Sequence, residues 1–257
     1  MSLRTSYQQK GFIVLRRVIS PSSISPIRAA LTARTINRQP TRSVLFTHQE
    51  PAETRSMTEL MFQHRNVLHE DDIILKQVLF DIMAAITPVV GYEPLPFQDV
   101  SLVKQPDSPE FPWHQDLPFW PVDRDDGCVA WMAIDGTRKE NGALQVAPGS
   151  HLSPLGPAID LHTGKPQPGS SAVTITPEAT STLILEPGDL ALFHARTLHR
   201  SGPNNTNRSR QGLAISFVHP DTRWSRDRAP CHPLCRTITH GEVLRPWSFK
   251  TYQIRPA

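Results

Sequence analysis

The stretch Gly212-Leu213-Ala214-Ile215-Ser216-Phe217-Val218-His219 alternates small residues (Gly212, Ala214, Ser216) with bulky apolar ones (Leu213, Ile215, Phe217). A period of two is that of a β-strand, and here it gives one face built for packing and one that leaves free volume inside a barrel. Upstream, Leu190 to His194, Ser181 to Glu186, Cys128 to Asp135 and Val100 to Lys104 read as further short strands separated by Pro and Gly. Many short strands with such punctuation predict a sandwich or barrel of antiparallel strands, and the 25 prolines of the chain suit its non-helical connections. Before Gly91 the pattern differs. Gly11 to Leu15 reads as an opening strand, and Ser20-Pro21 starts a helix whose apolar positions Ile24, Ile27 and Leu31 recur at helical spacing. Leu75, Val78, Leu79, Ile82 and Ile86 then share one face of a second helix, which Asp71 and Asp72 favour at its start and Pro88 with Gly91 end. Both helices are expected to buttress one face of a sheet.

At 257 residues and 38% apolar content, the chain is long enough to bury one sizeable core, and a single domain over 1–257 is expected. The net charge of +3 is mild and its Lys and Arg residues are dispersed, so no nucleic-acid partner is suggested. Met1 to Lys10 lacks the apolar stretch of a signal peptide, and no run is apolar enough to span a bilayer. Three cysteines, Cys128, Cys231 and Cys235, make no disulfide framework. A soluble, cytoplasmic protein with reduced thiols and no membrane partner is the expectation. The Pro-, Gly- and Ser-rich segment Ser153 to Thr180 reads as a long loop of the kind that forms lids or binding loops.

Two blocks carry chemistry. The first is His114-Gln115-Asp116, framed by Phe111-Pro112-Trp113 and Leu117-Pro118-Phe119-Trp120. Residues two apart on a strand project from one face, so His114 and Asp116 are adjacent candidate ligands and Gln115 points away. The second block, Gly188 to Pro203, offers two more imidazoles, His194 and His199. Two histidines and one carboxylate on a single metal, with one face of the octahedron open, suit Fe(II) in oxygenases that activate O2.

From the triplet to about Phe217 the sequence resembles the phytanoyl-CoA dioxygenase family of Fe(II)/2-oxoglutarate oxygenases. The resemblance rests on the triplet, the strand Cys128 to Asp135, the turn Glu140-Asn141-Gly142, the run Ala143-Leu144-Gln145-Val146-Ala147-Pro148-Gly149-Ser150-His151, and the second block, in that order. It implies a double-stranded β-helix, a jelly roll with N-terminal helices packed on one sheet. It also implies that Fe(II) is held by His114, Asp116 and His199, the histidine followed by an X-Ser-Gly turn, with His194 near the site or in packing. The family's arginine for the distal carboxylate of 2-oxoglutarate lies eleven positions past the distal histidine, at Arg210. Ser201 matches a hydroxyl on the same carboxylate, and Trp131 an aromatic beside the co-substrate. Gln115, inside the triplet, is grouped with these co-substrate-binding residues. The implied activity is oxidation, most simply hydroxylation, of a small organic molecule, with secondary metabolism as its setting, O2 consumed and succinate and CO2 released. Glu59 stands where the family can carry a lysine.

Other classes remain as alternatives: a metal-dependent hydrolase or isomerase on a cupin-like barrel, which needs neither Arg210 nor Ser201, or a non-catalytic binding protein on that fold. Asp116 disfavours a halogenase, which replaces the carboxylate ligand by a small residue. Cys231, His232, Cys235 and His240 lack the usual zinc spacings. Phe111, Trp113, Phe119 and Trp120 are candidate walls of an apolar pocket, or plain core.

Overall fold

The structure is a computed structural model that describes residues 2–35, 61–65, 73–154, 156, 177–229 and 239–244. Its elements in chain order are α1 (Leu3–Lys10), β1 (Phe12–Leu15), α2 (Pro21–Thr35), β2 (Met61–Arg65), α3 (Ile73–Val90), β3 (Leu95–Lys104), β4 (Phe111–His114), β5 (Cys128–Ala133), β6 (Leu144–Val146), β7 (Ser181–Thr182), β8 (Leu190–His194), β9 (His199–Ser201) and β10 (Arg210–Val218). Two antiparallel sheets face one another, one of order β1-β8-β5-β10-β3-β2 and one of order β4-β9-β6-β7. This is the antiparallel sandwich expected from the strand pattern and the jelly roll that the family resemblance implies.

Alternation along the large sheet decides what lies on each side of it. Leu213, Ile215 and Phe217 of β10 pack with Cys128, Ala130 and Met132 of β5, Leu190 and Leu192 of β8, and the apolar faces of the helices, including Ile27, Leu31, Leu75, Ile82 and Ile86. The opposite parity, Val129, Trp131, Ala191 and Phe193, joins Leu144 and Val146 of the small sheet in a second cluster between the sheets. This sheet is covered on both faces, which is why Cys128 to Ala133 is buried throughout and reads as a continuous apolar run.

The helix boundaries depart from expectation at two places. Met1 to Lys10 shows no strong apolar pattern, yet Leu3–Lys10 is helical: Ser2 Oγ accepts from Thr5 N at 3.1 Å, and Gly11 closes the far end with φ 77°. Helix α3 runs through Pro88 to Val90 and stops only at Gly91. Proline forfeits a single N–H there, close to the end of the helix. Among the strands, β3 begins at Leu95, five residues before the expected start, and Ser181 to Glu186 forms a strand only over Ser181–Thr182, with a separate antiparallel bridge from Leu185 to Thr137. The segments holding Glu59 and the Cys231–Cys235 cluster, and most of the loop to Thr180, lie outside the described residues.

Candidate metal centre and co-substrate pocket

The small sheet brings the two sequence blocks together. Strand β9 pairs antiparallel with β4, placing His199 opposite His114 and Ser201 opposite Phe111. Strand alternation does not place Asp116, however. Strand β4 ends at His114, and Asp116 has αR backbone (φ −79°, ψ −36°) at the start of the short 3-10 turn Leu117–Phe119. The N–H groups of Asp116 and Leu117 both donate to Ala195 O at 3.0 Å, so the β8–β9 connection itself fastens the carboxylate beside the histidines.

One donor atom from each of His114, Asp116 and His199 lies within 4.8 Å of the others, close enough to share one metal ion. Asp116 Oδ1 is 3.8 Å from His114 Nε2, and Asp116 Oδ2 is 3.6 Å from His199 Nε2. Both imidazoles are held from behind: His114 Nδ1 is 2.8 Å from Pro112 O and His199 Nδ1 is 3.0 Å from Thr197 O. A carbonyl beside Nδ1 requires the proton there and leaves the Nε2 lone pair aimed at the shared centre, as ligation needs. Burial, and then the neighbouring His199, hold the His114 pKa well below the usual imidazole value, so it stays neutral and ligand-competent.

His194, the rival ligand, lies elsewhere. Its Nδ1 accepts from Arg196 N at 3.1 Å, and its ring neighbours are His151 and Tyr7, at centroid distances of 5.4 and 6.4 Å. His151 in turn has Nε2 3.0 Å from Gln8 O, tying its turn to α1.

The triad opens on a cavity with about 990 Å³ of empty space, part of it open to solvent. Phe111, Phe119, Trp120, Trp131 and Phe193 are among its walls. On the large sheet the lining follows parity: Gln98, Val100, Leu102 and Lys104 from β3, and Arg210, Ala214 and Ser216 from β10. Register pairs Arg210 with Lys104 at one end of these strands and Ser216 with Gln98 at the other. The two polar ends are thus about 20 Å apart at the strand rise.

Arg210 is 3% exposed. Its guanidinium donates to Gly142 O at 2.7 Å and Asn141 O at 3.4 Å and lies 5.3 Å from the centre of the Trp131 ring. The Glu140-Asn141-Gly142 turn therefore aims the arginine. Gly142 has φ 81°, and a Cβ there would run into Gly202 O, so the turn needs glycine. Trp131 has room because Gly212 faces it; a Cβ at Gly212 would collide with the indole. Ser201 shares this end, and Arg208 is exposed.

Gln115 does not face the cavity. It is buried behind the site, with Nε2 donating to Arg196 O at 2.6 Å and Oε1 accepting from Gly156 N at 2.7 Å. It cross-links two loops, which removes it from the co-substrate set. Conversely, Lys104 was not marked out by its local sequence. Only its cross-strand partner makes it a site residue, and pairing partners are not written into a strand.

The family model for phytanoyl-CoA dioxygenase (PhyH) matches residues 7–212. A probable alpha-ketoglutarate-dependent hypophosphite dioxygenase of Stutzerimonas stutzeri is 32% identical over 122 residues, 46% of this chain and 43% of its own length. The peroxisomal phytanoyl-CoA dioxygenase of Homo sapiens is 24% identical over 235 residues, 86% of this chain and 69% of its own. Among solved structures, the non-heme alpha ketoglutarate dependent epimerase SnoN from nogalamycin biosynthesis superposes with a TM-score of 0.75 at 21% identity, covering 95% of this chain and 94% of its own. The carbocyclase SnoK of the same biosynthesis gives 0.71 at 19%, with the same coverage. With the model spanning most of the chain, this protein belongs to the phytanoyl-CoA dioxygenase (PhyH) family.

Proposed function

We propose that the protein is a non-haem Fe(II)- and 2-oxoglutarate-dependent dioxygenase that oxidises, most simply by hydroxylation, a small organic molecule of secondary metabolism. One observation carries this: a His-Asp-His centre and a buried arginine open on the same cavity. A hydrolase using the same metal ligands has no need of that arginine. The likeness to SnoN and SnoK, both from nogalamycin biosynthesis, supports the metabolic setting.

In this reading His114, Asp116 and His199 hold the iron on one face. When bound, Fe(II) and 2-oxoglutarate supply the activation of O2, one oxygen atom ending in succinate and the other in the product. The protein's own residues orient and exclude. Arg210 presents a planar fork of donors to the distal carboxylate, which suits a bidentate contact better than an ammonium does. The Ser201 hydroxyl reaches the same carboxylate, and Trp131 packs beside the carbon chain. Phe111, Phe119, Trp120 and Phe193 keep the reacting region apolar and limit water near it. The enzyme acts as a single domain in a reducing, cytoplasmic setting, in keeping with Cys128 as a free buried thiol. Among the described residues, no helix is long and apolar enough to cross a membrane.

The test is reconstitution of apo-protein with Fe(II) and ascorbate, followed by measurement of succinate formed from 2-oxoglutarate across a panel of small metabolites. Fe(II) should support O2-dependent succinate release, and Zn(II) should inhibit it. Turnover with Zn(II) in the absence of O2 would place the protein among the hydrolases instead.

A further inference from the structure

The end of the cavity beyond the metal centre carries two cations where a single arginine would suffice. Lys104, the last residue of β3, lies opposite Arg210 in register and is 1% exposed. Its Nζ donates to Ser201 Oγ at 3.2 Å and, over a short distance, to Gly202 O. Among the described residues, the side-chain hydrogen bonds of Lys104 and Arg210 go to carbonyl groups and one hydroxyl. Asp135, which acts on Arg210 through space, already accepts from Gln211 N and pairs with Arg28. Glu110, which acts on Lys104, pairs with Arg200.

Two buried cations side by side repel each other and are poorly solvated. Burial, and then Arg210, bring the Lys104 pKa down to about 7; burial brings that of Arg210 to about 10. An anion entering between them would relieve both costs. The ammonium also has a directional effect. Because an ammonium can only donate, Ser201 Oγ is the acceptor of protonated Lys104, and the hydroxyl proton of Ser201 is left to donate elsewhere.

We propose that Lys104 is a second anchor for the distal carboxylate of 2-oxoglutarate, adding charge directly and turning the Ser201 hydroxyl toward that carboxylate as a donor. The proposal rests on the co-substrate reading above. It makes the pocket selective for 2-oxo dicarboxylates through Lys104, Arg210 and Ser201 acting together, rather than through the arginine alone.

The experiment is an anaerobic titration of the Fe(II) protein, following the metal-to-ligand charge-transfer band, with two probes. One is 2-oxoglutarate. The other is 2-oxopentanoate, which has the same chelating end and chain length but lacks the distal carboxylate. Lys104→Met should weaken 2-oxoglutarate by roughly tenfold or more and leave 2-oxopentanoate unchanged. Lys104→Met/Ser201→Ala should lose less than the product of the two single effects, because the hydroxyl is oriented through the lysine. Lys104→Gln retains a neutral donor, serves if the methionine variant does not fold, and should show the same selective loss. Equal 2-oxoglutarate affinity in wild type and variant, or equal weakening of both probes, overturns the anchor. Failure of wild type to bind 2-oxoglutarate overturns the co-substrate reading itself.

Discussion

Replacing Arg210 by alanine should cost most of the affinity for 2-oxoglutarate. The guanidinium has five N–H donors, of which the Asn141 and Gly142 carbonyls engage only part, so a fork remains for a carboxylate. At 3% exposure, it has already been desolvated by the fold, and its contact with an anion is not diluted by water. Truncating one partner of a buried charged contact costs about 2 to 5 kcal/mol, a rise in Kd of about thirty-fold to several thousand-fold. Some of that is offset, because removing Arg210 lifts repulsion from Lys104, so the lower end of the range is expected. The control is Arg208→Ala, two residues earlier and exposed, which should change Kd by less than about twofold. Anaerobic titration of each Fe(II) variant with 2-oxoglutarate, with melting temperature as a check on folding, measures this. An Arg210→Ala protein that folds and binds 2-oxoglutarate as tightly as wild type would refute the assignment of this end of the cavity.

His114→Ala, Asp116→Ala and His199→Ala should each abolish Fe(II)-dependent turnover while leaving the fold intact, and His194→Ala should keep measurable activity; the reverse result for His194 and His199 would exchange their roles. Gln115→Ala should leave 2-oxoglutarate affinity unchanged but lower stability by about 1–3 kcal/mol, read by denaturant unfolding, since it strands Arg196 O and Gly156 N. Binding of 2-oxoglutarate should also depend on pH. With the free Lys104 near pKa 7 and facing Arg210, only its protonated form attracts the carboxylate, so Kd should rise as pH increases from about 6.5 to 8.5; a flat profile for 2-oxoglutarate would contradict this.

Much of the architecture follows from local pattern. The alternation Gly212 to Phe217 and the apolar run Cys128 to Ala133 mark strands because a period of two cannot be packed as a helix, and Leu75 to Ile86 marks α3 by the opposite reasoning. The metal-ligand types are equally legible, since His114 and Asp116 are near neighbours and the second block carries its own turn chemistry. Parity alone put Arg210 on the small-residue face of its strand. What a strand cannot encode is its partner. The choice between His194 and His199 became structural only when β9 paired with β4, whose register sets His199 against His114 and leaves His194 with Tyr7 and His151. The position of Asp116 depends on the carbonyl of Ala195, nearly eighty residues away, which holds it in a helical turn that strand geometry did not predict. The amide of Gln115 likewise finds its partners, Arg196 O and Gly156 N, on loops distant in sequence. Lys104 gains its role only from the β3–β10 register, which sets it against Arg210. Local propensity and periodicity act within a few residues and are written in the chain, whereas register and cross-sheet contacts depend on the packing of all the elements at once, so the tertiary structure alone decides them.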